Sequence, residues 1–224
     1  MKKVYIYKRF ERFWHWTQAA LIIFLALTGF EVHGSLHILG FEYAARFHRV
    51  ASWMLIVLII FAIFWHFATG EWKQYIPTTK KLKEQIIYYA YGMFKGDKHP
   101  TQKTELSKMN PLQRLTYLVF KLFLVPVTII SGILYMLHKT IDQNNIVVVE
   151  KIPLSGIAFW HTLGAFLLMI FLVLHVYMTT TGHTPTSNIR AMMTGFEELE
   201  DEADDTNGEQ PNSTKQEPIK KEEK

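Results

Sequence analysis

The run from Phe159 to Met178, FWHTLGAFLLMIFLVLHVYM, constrains this chain most. It is apolar for about 20 residues, enough to cross a ~30 Å bilayer core as a helix. Two histidines interrupt it, His161 and His175, fourteen residues apart. At ~100° per residue that spacing is close to four whole turns, so both imidazoles leave one face of the helix, about 21 Å apart along its axis. An ionisable side chain inside a span is costly and marks a functional position by default. Two on one stripe, one per leaflet, predict a helix that presents a ligand at each side of a membrane.

The rest of the sequence fits that setting. Apolar residues make up 49% of the 224 and gather into four long blocks, and there is no cysteine. The blocks predict an all-α, integral-membrane four-helix bundle with spans at about 14–32, 46–67, 115–137 and 157–178. The first block is longer than a signal-peptide core and no small-residue cleavage site follows it, so it is expected to stay in the chain. Without cysteine there is no disulfide frame, no iron–sulfur ligation and no covalent haem attachment. Any redox cofactor is left to histidines or to another subunit.

Charge sets the expected orientation. From Glu197 onward there are eleven acidic and four basic residues, a net of −7, against +11 for residues 1–196. The division predicts a membrane domain over 1–196 and an acidic, disordered cytoplasmic tail over 197–224. Lys2, Lys3, Lys8, Arg9 and Arg12 precede span one, and the stretch from Thr69 to Arg114 is rich in lysine. The two short loops carry few such residues, so both termini and the long loop are expected in the cytoplasm, with the chain in a bacterial inner membrane. Basic residues flanking apolar spans follow membrane topology and give no reason to expect nucleic acid. Within the long loop, 80–94 places Leu82, Ile86, Tyr89 and Met93 at helical spacing, which predicts an amphipathic helix on the membrane surface.

This topology sorts the histidines by depth. His15 opens span one and His175 lies near the end of span four, both toward the cytoplasm. His48 opens span two and His161 lies near the start of span four, both toward the outside. Haem iron takes two axial ligands on opposite faces of a flat macrocycle, and imidazoles from facing helices supply them. Two b-type haems, one per leaflet, are therefore expected, on His15 with His175 and on His48 with His161. His66 lies eighteen residues after His48, five turns on, and competes with His15 at the inner position or stands near a quinone. His33, His37, His99, His138 and His183 fall in loops or interfaces. Singly, His15 and His48 also read as polar residues at headgroup level.

Four motifs and the two span-four histidines carry a family resemblance: RFWHW at span one, ARFHR at span two, FWHFATGEWKQYIP after it and MNPLQR before span three. Over roughly Tyr7 to Phe196 the chain resembles the di-haem b-type cytochrome subunits of respiratory complexes, namely formate dehydrogenase gamma, nickel–iron hydrogenase and thiosulfate reductase. The resemblance implies His15 and His175 as ligands of the inner haem and His48 and His161 as ligands of the outer one. In the formate dehydrogenase relatives an Asn in a Tyr-Asn-Ala-Gly-Gln segment lies beside the quinone site. Asn110 and Gln113 match that segment here, with Leu112 in place of its glycine. Asn110 equally reads as a helix N-cap with Pro111 at the first helical position.

The function these residues predict is a membrane anchor moving electrons between a catalytic or electron-transfer partner subunit and a quinone pool, menaquinone or ubiquinone. At most the quinone half-reaction would occur on this chain. Rival readings are a stand-alone quinol-oxidising cytochrome and a histidine-lined proton or metal transporter.

Overall fold

Each apolar block folds as a helix, and each helix outruns its block. The computed structural model describes residues 2–97, 100–101, 108–143, 153–182 and 184–199. Strand β1 (Lys2–Tyr5) leads into α1 (Arg9–Val32), which is followed by α2 (Phe41–Thr69). A short 3₁₀ turn (Glu71–Tyr75) precedes α3 (82–95), and then come α4 (111–143), α5 (Leu154–Thr179), α6 (Ser187–Thr194) and strand β2 (Phe196–Leu199). Four helices are long and apolar enough to span a bilayer. The chain is a multi-pass membrane helical bundle.

The extra turns have local causes. At the start of α1 the Glu11 carboxylate accepts the Lys8 backbone N–H at 2.7 Å, so the helix begins before its apolar run. Helix α2 ends at Gly70, whose φ of 76° is the left-handed stop that glycine adopts freely. Helix α4 begins at Pro111 rather than near 115, which puts Arg114, expected in the loop, inside its first turn. Pro126 cannot donate to the carbonyl four residues earlier, and the helix widens into a π turn over Phe120–Leu124 just before it.

Packing proceeds by hairpins. Helix α1 lies against α2 and α4 against α5, whereas the backbones of the two hairpins hardly approach each other. Small residues make the close contacts: Ala44, Ala51 and Ala62 of α2 are buried, and a side chain at Gly164 of α5 would collide with Thr128 of α4. The outer faces are the reverse, with Val57, Ile60, Phe64, Val173 and Leu174 all more than half exposed. That surface is stable against lipid and untenable in water.

One feature departs from the expected plan. Strands β1 and β2 pair antiparallel, Tyr5 opposite Phe196, so the ends of the described chain meet on one side of the bundle. Arg12 and Trp16 of α1 donate to the carbonyls of Met193 and Met192, fastening α6 to the same end. Helix α3 forms close to the expected 80–94. Its Gln85 is fully buried and Ile86 is exposed, and a π turn follows at Tyr88–Gly92. The acidic tail from 200 onward, His99 and His183 lie outside the described residues.

Candidate functional site

The space between the hairpins is crossed by histidines. His15 of α1 faces His175 of α5 with ring centroids 6.1 Å apart, and His48 of α2 faces His161 of α5 at 6.3 Å. Metal–imidazole bonds of about 2.0–2.1 Å and five-membered rings built from bonds of about 1.33 Å put two axial imidazoles on one metal at a centroid distance of about 6.3 Å. Both pairs stand at that distance. Among the described residues no three His, Asp or Glu side chains gather as an ion site, so the histidines stand in twos.

Hydrogen bonds fix the orientation of the rings. The Thr28 hydroxyl donates to the Phe24 carbonyl at 2.9 Å, so its oxygen is left to accept from His48 Nδ1 at 3.0 Å. His161 Nδ1 donates to the Thr128 carbonyl at 3.1 Å. With the proton on Nδ1 in each ring, the Nε2 lone pair is left for a metal. At the other end His175 Nδ1 lies 3.4 Å from the Tyr117 hydroxyl, and the Phe171 ring stacks on the imidazole at 5.8 Å. His15 Nδ1 is buried with no hydrogen bond, a polar atom that asks for a partner.

Glycines admit the rings. A Cβ at Gly132 would stand 2.9 Å from His161 Cε1, and one at Gly29 would stand 3.3 Å from His48 Cε1. The outer imidazoles therefore lean on backbone that only glycine leaves open.

Around the His15–His175 pair lies a cavity of about 1900 Å³. Ligand sites usually occupy ~300–1,000 Å³, so this space is larger than an ordinary ligand site. Asn110, Gln113 and His66 line this cavity too, but their polar groups are engaged. Asn110 accepts the Gln113 backbone N–H at 2.8 Å, and Gln113 accepts that of Asn110 at 3.1 Å, a reciprocal cap on α4. The Asn110 amide also donates to Tyr89 Oη at 3.0 Å. His66 Nδ1 donates to the Ala62 carbonyl at 2.6 Å and its Nε2 is 3.3 Å from the Tyr75 hydroxyl. Burial first, and the Glu11 carboxylate second, push the Tyr75 phenol well above its usual range, so it remains a donor to His66. It is the His15 ring, and not that of His66, that faces His175.

The cavity rim carries charge. Lys108 Nζ donates to Glu11 at 2.7 Å and to Glu71 at 3.3 Å, and Lys8 Nζ donates to Glu71 at 2.6 Å. Burial alone would raise the Glu71 carboxyl, but the Lys8 hydrogen bond and the Lys108 charge outweigh it and hold Glu71 below the usual carboxylate range. Deeper in, Lys121 Nζ stands 3.5 Å over the Tyr75 ring and 5.2 Å from the Trp14 ring. The sequence reading passed over Lys121, although a single lysine inside an apolar span is the signal that drew attention to the histidines.

Comparison with known proteins identifies the family. Residues 6–195 match the family described as prokaryotic cytochrome b561, and the chain belongs to that family. Its cofactor is therefore b-type haem, and the chain is a membrane electron-transfer cytochrome. The chain is 25% identical to a putative cytochrome YdhU of Escherichia coli over 211 residues, covering 87% of this chain and 75% of that protein. It is also 25% identical to probable Ni/Fe-hydrogenase B-type cytochrome subunits of Rhizobium leguminosarum and Cupriavidus necator. These alignments cover 79% of this chain in both cases, and 80% and 79% of the relatives. No solved structure matches the chain.

Proposed function

We propose that this cytochrome is a di-haem anchor subunit carrying electrons across the membrane between a partner catalytic or electron-transfer subunit and the quinone pool. The observation that carries the reading is α5, which sets one histidine of each facing pair at either end of a single span. His48 and His161 hold the outer haem, and His15 and His175 the inner one. Haem supplies reversible one-electron chemistry when bound. The chain's own residues ligate, fix ring tautomers through Thr28 and Thr128, and exclude water. The cavity beside Asn110, Gln113 and His66 receives the quinone, and the hydrogenase-subunit relatives support a catalytic partner.

The lysine-rich N-terminus and long loop support a cytoplasmic side for both termini in a bacterial inner membrane. Residues 1–196 form the membrane domain and the acidic tail extends from it.

The test is haem counting on purified full-length protein, by difference spectra and pyridine haemochromogen. Two b-type haems per chain are expected, with His161→Ala and His175→Ala each removing a different one. Wild-type protein without reduced b-type bands overturns the reading. Loss of a haem in His66→Ala with both retained in His15→Ala overturns the inner ligand assignment.

A further inference from the structure

Lys121 is the deepest cation of the four spans. It lies ten residues into α4, about 15 Å along the axis from Pro111, on the π turn and on the wall of the large cavity. Among the described residues no carboxylate or hydrogen-bond acceptor is paired with its ammonium, which stands over the faces of Tyr75 and Trp14. Those rings compensate part of the charge, yet an ammonium carries three donors and a ring face takes none of them in a directed bond.

A second observation comes from Trp14. Trp14 lines the same cavity, and its indole Nε1 is buried with no acceptor among the described residues. An indole N–H of this kind ordinarily finds a partner when buried. Two residues on different helices, both in the wall of one cavity, thus carry donors that have no oxygen acceptor among the described residues.

We infer that Lys121 and Trp14 together bind an oxygen of a cavity ligand that carries or develops negative charge. Two ligands of the proposed function, on which this inference rests, have such an oxygen: the carboxylate of a porphyrin and the carbonyl of a quinone, which gains negative charge on reduction. Among the described residues, the rim carboxylates Glu11 and Glu71 are held by Lys8 and Lys108 and not by Lys121.

The experiment uses haem-loaded, full-length wild type, Lys121→Met, Lys121→Arg and Trp14→Phe in detergent. Potentiometric titration follows both haem bands, and fluorescence quenching measures binding of 2-heptyl-4-hydroxyquinoline N-oxide as a quinone-site probe. If the oxygen is the porphyrin carboxylate, Lys121→Met lowers one midpoint potential and leaves probe affinity intact. If it is the quinone carbonyl, Lys121→Met weakens the probe tenfold or more with both potentials in place. In either case Lys121→Arg restores most of the change and Trp14→Phe gives a smaller shift of the same sign. Lys121→Met with wild-type haem content, potentials and probe affinity overturns the inference while leaving the di-haem anchor standing. Wild type that binds no haem removes both.

Discussion

His161 Nδ1 lies 3.1 Å from the Thr128 carbonyl, so the imidazole of α5 is pinned by the backbone of α4 and has little room to yield. A methyl group at Gly132 would press on the same ring, 2.9 Å from Cε1 and 3.2 Å from Nδ1. If the chain holds two haems as proposed, Gly132→Ala is expected to cost the one assigned to His48 and His161, seen as about half the wild-type haem in a pyridine haemochromogen assay. Gly156→Ala is the control, since its Cβ would meet nothing nearer than Pro153 at 3.7 Å. It keeps full haem content.

Asn110 closes a reciprocal cap at the start of α4 and donates to Tyr89. Removing an N-cap typically costs ~0.5–2 kcal/mol, and each kcal/mol moves Tm by about 2–4 °C in a chain of this size. Asn110→Ala should lower Tm by a few degrees in detergent. Asn110→Ser should recover most of that loss, because serine caps α4 without reaching Tyr89. A Tm in Asn110→Ser no higher than in Asn110→Ala would show that the Tyr89 contact, and not the cap, holds the segment.

Glu31 reaches across the first hairpin. Its carboxylate accepts the backbone N–H groups of Ile38 at 2.9 Å, of Leu39, and of Gly40 at 2.6 Å, where α2 begins. Glu31→Ala leaves three donors without this acceptor and should speed protease cleavage between α1 and α2. Glu31→Gln keeps an acceptor without the charge and should fall between. Equal cleavage rates in all three proteins would rule this out.

The rim ion network predicts a pH window. Glu71 has its carboxyl held below the usual range, so its contribution is present above the unfolded value of ~4.3 and is lost as pH falls through the folded value. Lys8 is raised, chiefly by its hydrogen bond to Glu71, so its contribution holds below ~10.4 and is lost as pH rises through the folded value. The difference in Tm between wild type and Glu71→Gln should be flat across the neutral range and shrink below about pH 4. A constant difference down to pH 3 would assign the effect to packing.

The four spans and the grouping of histidines by depth were legible because both follow from short-range arithmetic, a 20-residue apolar length and a 14-residue step along one helix. Helix ends were not. Arg9, Arg12 and Arg114 look like loop residues by hydropathy, yet helices continue through the interfacial zone once Glu11 or Asn110 caps them. The β1–β2 pair was invisible because Tyr5 and Phe196 sit at opposite ends of the described chain and neither strand alternates strongly. Lys121 was legible in principle, since FKLF places a charge in an apolar run, but its unsatisfied partner Trp14 emerges only when α1 and α4 are brought together.

Helix α5 contributes to both histidine pairs, so the separation between them is a length written in one piece of chain. Whatever the hairpins do as they breathe in the lipid, fourteen residues at ~1.5 Å each keep His161 and His175 about 21 Å apart. The span works as a ruler whose graduation is helical pitch. Inserting one residue between its marks would swing one histidine by ~100° relative to the other, while the same insertion in a connecting loop would leave the measure untouched.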